Sequence, residues 1–278
     1  MKTLRVCILR IEGTNCEAEM FSAFKGAGMD PELVHLKQLT GDALPRRALE
    51  DYDCLMIPGG FSSGDYVRAG AIFAARMKCK LRESILNFLD GGGLIGGVCN
   101  GFQVLVELGL LPGFDDLISD EPQMALHIND SNRFECRLSF LRHELEEGTS
   151  PFTSRIKKGA ILRIPSAHAE GKVVFPEEFQ KEYLEKMRNN NQIIFRYVNP
   201  DGGDATHPWN PNGSVEDIAA ISNPKGNVFG MMPHPERVFN ACNDPMVKRG
   251  ELKEYGDGRA IFDSIFEYLS TYRSKQLF

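Results

Sequence analysis

Three observations predict an α/β fold with an open, mostly parallel sheet flanked by helices. Short apolar runs alternate with helical patterns over the first hundred or so residues, the signature of a parallel sheet covered on both faces. Two of those runs end in glycine-rich turns, Pro58-Gly59-Gly60 and Cys99-Asn100-Gly101, where sites form in sheets of this kind. From about Met124 the pattern shifts to short β-like runs, which reads as a β-rich insertion.

The segment 4–11 is a buried strand by its apolar content. Arg5 and Arg10 bracket that run, so it does not have the layout of a signal peptide. Asn15 is placed to cap a helix carrying Ala18, Phe21, Ala23 and Phe24 and ended by Gly26 and Gly28. Second and third strands are expected at 33–36 and 54–57, then a long helix over about 67–89 and a fourth strand at 94–98. A helix begins with Phe102. Beyond it lie β-like runs at 125–128, 134–138 and 161–164, and a charged, exposed helix at 177–190. Strands at 192–198, 217–221 and 228–232 follow. Ile261, Phe262, Ile265, Phe266 and Leu269 form one face of a final amphipathic helix. With no repeat, linker or low-complexity tract, residues 1–278 read as one domain with a charged helical insertion at about 176–191.

With 278 residues, 42% hydrophobic and 25% charged, the chain can bury a full core. A net charge of −6 offers no footprint for nucleic acid or an anionic membrane, and charges interrupt every apolar stretch short of a span. The seven cysteines are odd in number, widely spaced and without a Cys-x-x-Cys. This spacing fits neither a disulfide framework nor a zinc site, so no metal and a cytoplasmic setting are expected. Cys7 and Cys54 lie in strand-like runs as small core residues; only Cys99 stands in an activating context.

That context is the layout of a nucleophile elbow: an apolar strand, small residues, Cys99, a glycine two positions on and a helix. A helix start favours the thiolate and offers N–H groups to an oxyanion. A nucleophilic cysteine needs a base, and the base an orienting acceptor. Two histidines have a glutamate two residues on, which an extended backbone puts on the same side: His234 with Glu236, and His168 with Glu170. Pro233 and Pro235 fix the backbone around His234. Spacing by itself does not rank the two pairs. A backbone N–H in the turn at Gly60, with that of Asn100, would make an oxyanion hole.

Gly97-Val98-Cys99-Asn100-Gly101-Phe102-Gln103 together with Pro233-His234-Pro235-Glu236 resembles a class I (triad) glutamine amidotransferase, a flavodoxin-like fold. The segments 58–70, 132–135, 167–171 and 212–219 resemble, more narrowly, the glutaminase components of phosphoribosylformylglycinamidine synthases. The similarity runs from the first strand to Arg237; Ser63 departs from it, at a position where the family pattern implies tyrosine. The resemblance implies Cys99, His234 and Glu236 as the catalytic triad. It leaves His168 and Glu170 near the site or at a partner surface. It implies that Gln103 and the backbone of Arg133 and Phe134 hold L-glutamine. It also implies a synthetase subunit that takes the ammonia, and a small bridging subunit. The chain has no Gly-x-x-x-x-Gly-Lys-Ser/Thr segment, and Gly91-Gly92-Gly93 precedes a strand instead of following one. No cofactor is therefore expected here; ATP and Mg belong to the synthetase. Two other classes stand beside this one: a cysteine hydrolase acting on a different amide, and a non-catalytic protein that kept the elbow.

Overall fold

The structure, a computed structural model, describes residues 3–114, 118–247 and 254–276. In chain order the first half comprises β1 (Arg5–Arg10), α1 (Glu17–Gly26), β2 (Asp30–His35), a single turn α2 (Leu36–Leu39), β3 (Cys54–Ile57), α3 (Ala71–Asp90), β4 (Leu94–Val98) and α4 (Asn100–Glu107). The second half comprises β5 (Ala125–Ile128), β6 (Glu135–His143), β7 (Ile161–His168), β8 (Glu170–Val174), α5 (Gln180–Asn189), β9 (Ile193–Val198), β10 (Ile218–Ser222), β11 (Val228–Met231) and α6 (Arg259–Gln276).

Nine strands form one sheet in the order β2-β1-β3-β4-β11-β10-β9-β6-β7. The first five are parallel to their neighbours, and the last four continue the sheet antiparallel. The α/β expectation holds, and the β-rich segment has a definite place: β6 and β7 extend the main sheet, while β5 and β8 pair in a separate two-stranded ribbon. β3 and β4 are buried along their whole length, which is why both read as continuous apolar runs without alternation. β7 alternates buried and partly exposed residues and runs on to His168, beyond the expected end at Ile164. Pro165 and the small residues after it hide a strand that the pairing with β6 imposes.

The helices cover the parallel part. α3 turns Phe73, Ala74, Met77, Leu81, Ile85, Phe88 and Leu89 inward at helical spacing. α1 and α6 meet through Phe24 and Phe262, edge to face with centroids 5.0 Å apart. Full burial of such a side chain stabilises the fold by about 1.5–3 kcal/mol. α1 starts one residue later than Asn15 implies: Cys16 is the N-cap residue and makes no side-chain cap bond. α5 is shorter than expected and not wholly exposed, since Leu184 and Met187 are buried and Tyr183 packs on Phe114 at 4.8 Å. No helix among the described residues is long and apolar enough to cross a membrane.

Close backbone contacts surround the turn from β4 into α4. A methyl group on Gly97 would overlap the Gly101 carbonyl, and one on Gly101 would overlap the Ile57 carbonyl at the end of β3. Strand and helix therefore approach backbone to backbone, which only glycine permits. Gly101→Ala should lower stability by about 1–3 kcal/mol through overpacking. Urea unfolding checks this, and a midpoint equal to the parent's would contradict the packing.

Candidate active site

Cys99 sits at the head of α4 with φ 53° and ψ −109°, a backbone conformation that non-glycine residues rarely adopt. Its N–H donates to the Met231 carbonyl at 2.8 Å, which fastens the turn to β11. Such strain persists only where the surroundings over-determine it. Here Gly97 and Gly101 let the turn close, and β11 pins it. The side chain is buried, and it lines a cavity of about 200 Å³ together with Gly60, Gln103, Phe134, His168 and His234.

His234 follows β11, and its Nδ1 is 2.6 Å from Glu236 Oε1, both side chains being buried. A carboxylate accepts only, so Nδ1 carries the proton and Nε2 is the working nitrogen. Among the described residues Nε2 has no hydrogen-bond partner. Burial opposes protonation of the ring, but the Glu236 carboxylate, and after it Cys99 and Cys16, hold its pKa well above the usual histidine range.

β7 reaches both catalytic candidates. The Pro165 carbonyl accepts the His234 N–H at 2.7 Å, and the Ala167 carbonyl stands 3.7 Å from Cys99 Sγ. Residues two apart on a strand present their carbonyls to the same side, so one strand sets the two segments against each other.

Gly60 has φ 149°, and a Cβ there would lie 2.7 Å from Asn15 N and from Gly13 O. The Asn15 N–H donates to Gly59 O at 3.2 Å and the Phe61 N–H to Gly13 O at 2.9 Å. The Gly60 N–H between them therefore points away from that segment, and Gly60 lines the cavity. A side-chain relay ties this turn to the elbow. The Ser62 N–H donates to Asn100 Oδ1 at 3.2 Å, Asn100 Nδ2 to Gln103 Oε1 at 2.9 Å, and Gln103 Nε2 to the Glu170 carbonyl at 2.6 Å.

Of the residues singled out from the sequence, Cys99, His234, Gly60, Gln103 and Phe134 line one cavity. Glu236 lies behind His234, and Asn100 is buried beneath the turn. Arg133 is exposed, and its carbonyl accepts from Asn129 Nδ2 at 2.9 Å. His168 and Glu170 both line the cavity but are not paired: His168 Nδ1 faces Asn129 Oδ1 at 3.1 Å. Asn129 Nδ2 already donates to the Arg133 and His168 carbonyls, which leaves Oδ1 as the acceptor of the His168 proton. Burial first, and His234 second, lower the His168 pKa to about 4, so the ring is neutral.

Cys16 was not singled out, for no sequence signal separates it from an ordinary helix start. It is buried in this cavity, and Arg237 Nη2 donates to its sulfur at 3.2 Å. Cys16, His234 and Glu236 bring ligand-type atoms within 4.8 Å of one another, the one such cluster among the described residues. The His234–Glu236 bond already occupies part of that set.

Two tests follow from these electrostatics. Glu236→Gln removes the largest influence that raises the His234 pKa, so its imidazole should titrate lower than the parent's by NMR; an unchanged value would contradict the coupling. For His168 the unfolded state takes up its proton near pH 6.5 and the folded state only near pH 4. Stability is therefore full above pH 6.5 and lost as pH falls towards 4, on the order of 2–3 kcal/mol. Urea unfolding of His168→Gln should show a smaller loss across that window.

The model of the CobB/CobQ-like glutamine amidotransferase domain matches residues 3–269. The chain is 51% identical over 271 residues to the phosphoribosylformylglycinamidine synthase subunit PurQ of Archaeoglobus fulgidus, covering 96% of this chain and 97% of that one. It is 42% identical over 233 residues to the PurQ subunit of Aquifex aeolicus, covering 84% and 89%. Among solved structures, a chain of PurLQS from Thermotoga maritima superposes with a TM-score of 0.70 at 34% identity, covering 96% of this chain and 99% of that one. With its fold, its elbow and its buried histidine–glutamate pair, the chain belongs to the CobB/CobQ-like glutamine amidotransferase family.

Proposed function

We propose that this chain is the glutaminase subunit of a phosphoribosylformylglycinamidine synthase and delivers ammonia to a synthetase subunit. One observation carries the chemistry: Cys99 and His234 line one cavity, and Glu236 fixes the tautomer of His234 from behind.

The Cys99 thiolate attacks the side-chain amide carbon of L-glutamine. The developing oxyanion rests on the N–H groups of Gly60 and Asn100, and each such donor is worth on the order of a hundredfold or more in rate. His234 gives its Nε2 proton to the departing ammonia, which leaves a thioester on Cys99. Water, deprotonated by His234, then cleaves the thioester and releases glutamate. Two easier steps replace one hard amide hydrolysis. Glu236 stabilises the imidazolium that both steps require. Gln103 and the backbone at Arg133 and Phe134 hold the substrate.

The ammonia is consumed elsewhere. ATP, Mg and formylglycinamide ribonucleotide bind the synthetase partner, which forms formylglycinamidine ribonucleotide, and a small bridging subunit completes the assembly. The exposed rings of Phe61 and Phe134, 6.5 Å apart, line the cavity, and Tyr66 and Val67, a few residues after Phe61 in the chain, are exposed as well. This surface suits the synthetase contact. The free thiols fit a cytoplasmic setting.

Cys99→Ala should lower glutamine hydrolysis by more than about a thousandfold while leaving the circular-dichroism spectrum unchanged. Ammonium salts should still support amidine formation by the variant complex with ATP. Glutamate release by the parent chain should be slow alone and rise when the synthetase is added. Hydrolysis that survived in the variant, or full activity of the isolated chain, would contradict the assignment.

A further inference from the structure

The cavity that holds Cys99 is also lined by two carboxylates to which the mechanism gives no task, Asp65 and Glu170. Asp65 follows the oxyanion turn, and Glu170 opens β8. Both stand on the relay that leaves the nucleophile. Asn100 Nδ2, 2.9 Å from Gln103 Oε1, lies 3.4 Å from Asp65 Oδ1, and Gln103 Nε2 donates to the Glu170 backbone at 2.6 Å.

Neither carboxylate has a basic partner among the described residues. Asp65 is held only by Asn100 and the Gly70 N–H, and Glu170 Oε2 by the Ala69 N–H at 3.4 Å. The nearby cations are engaged elsewhere: Arg68 grips Glu107 through two nitrogens, Lys172 pairs with Asp130, and Arg237 donates to Cys16. Burial first, and the charge of Glu170 second, push Asp65 up to about 6. Two half-buried carboxylates facing each other without a cation are costly, and a cationic ligand removes that cost. The same cavity is lined by His168, 3% exposed, whose Nε2 has no partner among the described residues and, with the proton on Nδ1, is an acceptor. The two carboxylates and His168 Nε2 all accept, which suits a ligand that donates.

We infer that Asp65 and Glu170 bind the α-ammonium group of the substrate and so make the site specific for a free amino acid over a simple carboxamide. This rests on the glutaminase reading. With the carboxamide at Cys99, the far end of glutamine carries an ammonium with three N–H groups. Carboxylates along the relay from Asn100 through Gln103 are its complement. Peptide-linked glutamine and neutral amides lack that charge, and a site built for a charged donor rejects ligands without it. Ser63, Gly64 and Asp65 all have positive φ, so the loop holds Asp65 in an arrangement that costs backbone strain.

The test uses the assembled complex and two substrates, L-glutamine and glutaramate, which keeps the carboxamide and carboxylate but lacks the amino group. Asp65→Asn and Glu170→Gln should each raise KM for glutamine by about tenfold or more. In each, kcat should change far less and KM for glutaramate should stay near the parent's. An equal loss with both substrates would make the two residues structural and overturn the inference, as would an unchanged KM for glutamine. A parent complex that released no glutamate from glutamine would instead overturn the glutaminase reading, and the inference with it.

Discussion

The constraint on which the site depends is the backbone of Cys99. Its φ of 53° raises the thiol at the head of α4, and the conformation survives because β3, β4 and α4 touch without side chains between them. Gly97 and Gly101 give no chemistry. They remove the methyl groups that would separate strand from helix, and the Cys99 N–H bond to Met231 closes the turn from the other side. The buried parallel strands supply the rigidity, since a loop on its own would relax such strain.

The proposed acid–base partner arrives from the far end of the sequence. β11 lies beside β4 in the sheet, so the segment that follows it delivers His234 next to the elbow. β7 completes the arrangement, with two of its carbonyls against His234 and Cys99. The antiparallel half of the sheet is thus part of the frame around the proposed triad. Burial opposes the imidazolium of His234 most strongly, and the nearby Glu236 carboxylate outweighs it only together with Cys99 and Cys16.

Much of this was legible in the residues. Runs buried on both faces announce themselves by continuous apolar composition, so β3 and β4 fall where the sequence places them. The long helix has its inward stripe, and the final one matches its apolar positions. β8 and the end of β7 were not legible, because Pro165, Ser166 and Gly171 carry no strand preference and pairing alone extends them. The cap of α1 was misplaced by one residue for a related reason: the Cys16 N–H is held by the Gly59 carbonyl, a contact from the turn after β3.

The sequence by itself determined the local chemistry: a cysteine between glycines at a strand-to-helix turn, and a histidine with a glutamate two residues on between fixed prolines. Turn geometry and residue type are short-range properties, and they survive in the linear order. The family resemblance already implied His234 with Glu236, whereas the pairing of His168 with Asn129 instead of Glu170 was a matter for the tertiary structure. So was the place of Cys16 and Arg237 beside the imidazole, and that of Asp65 beside Glu170. Those contacts join residues as far apart as 16 and 237, and only the closing of the sheet brings them together.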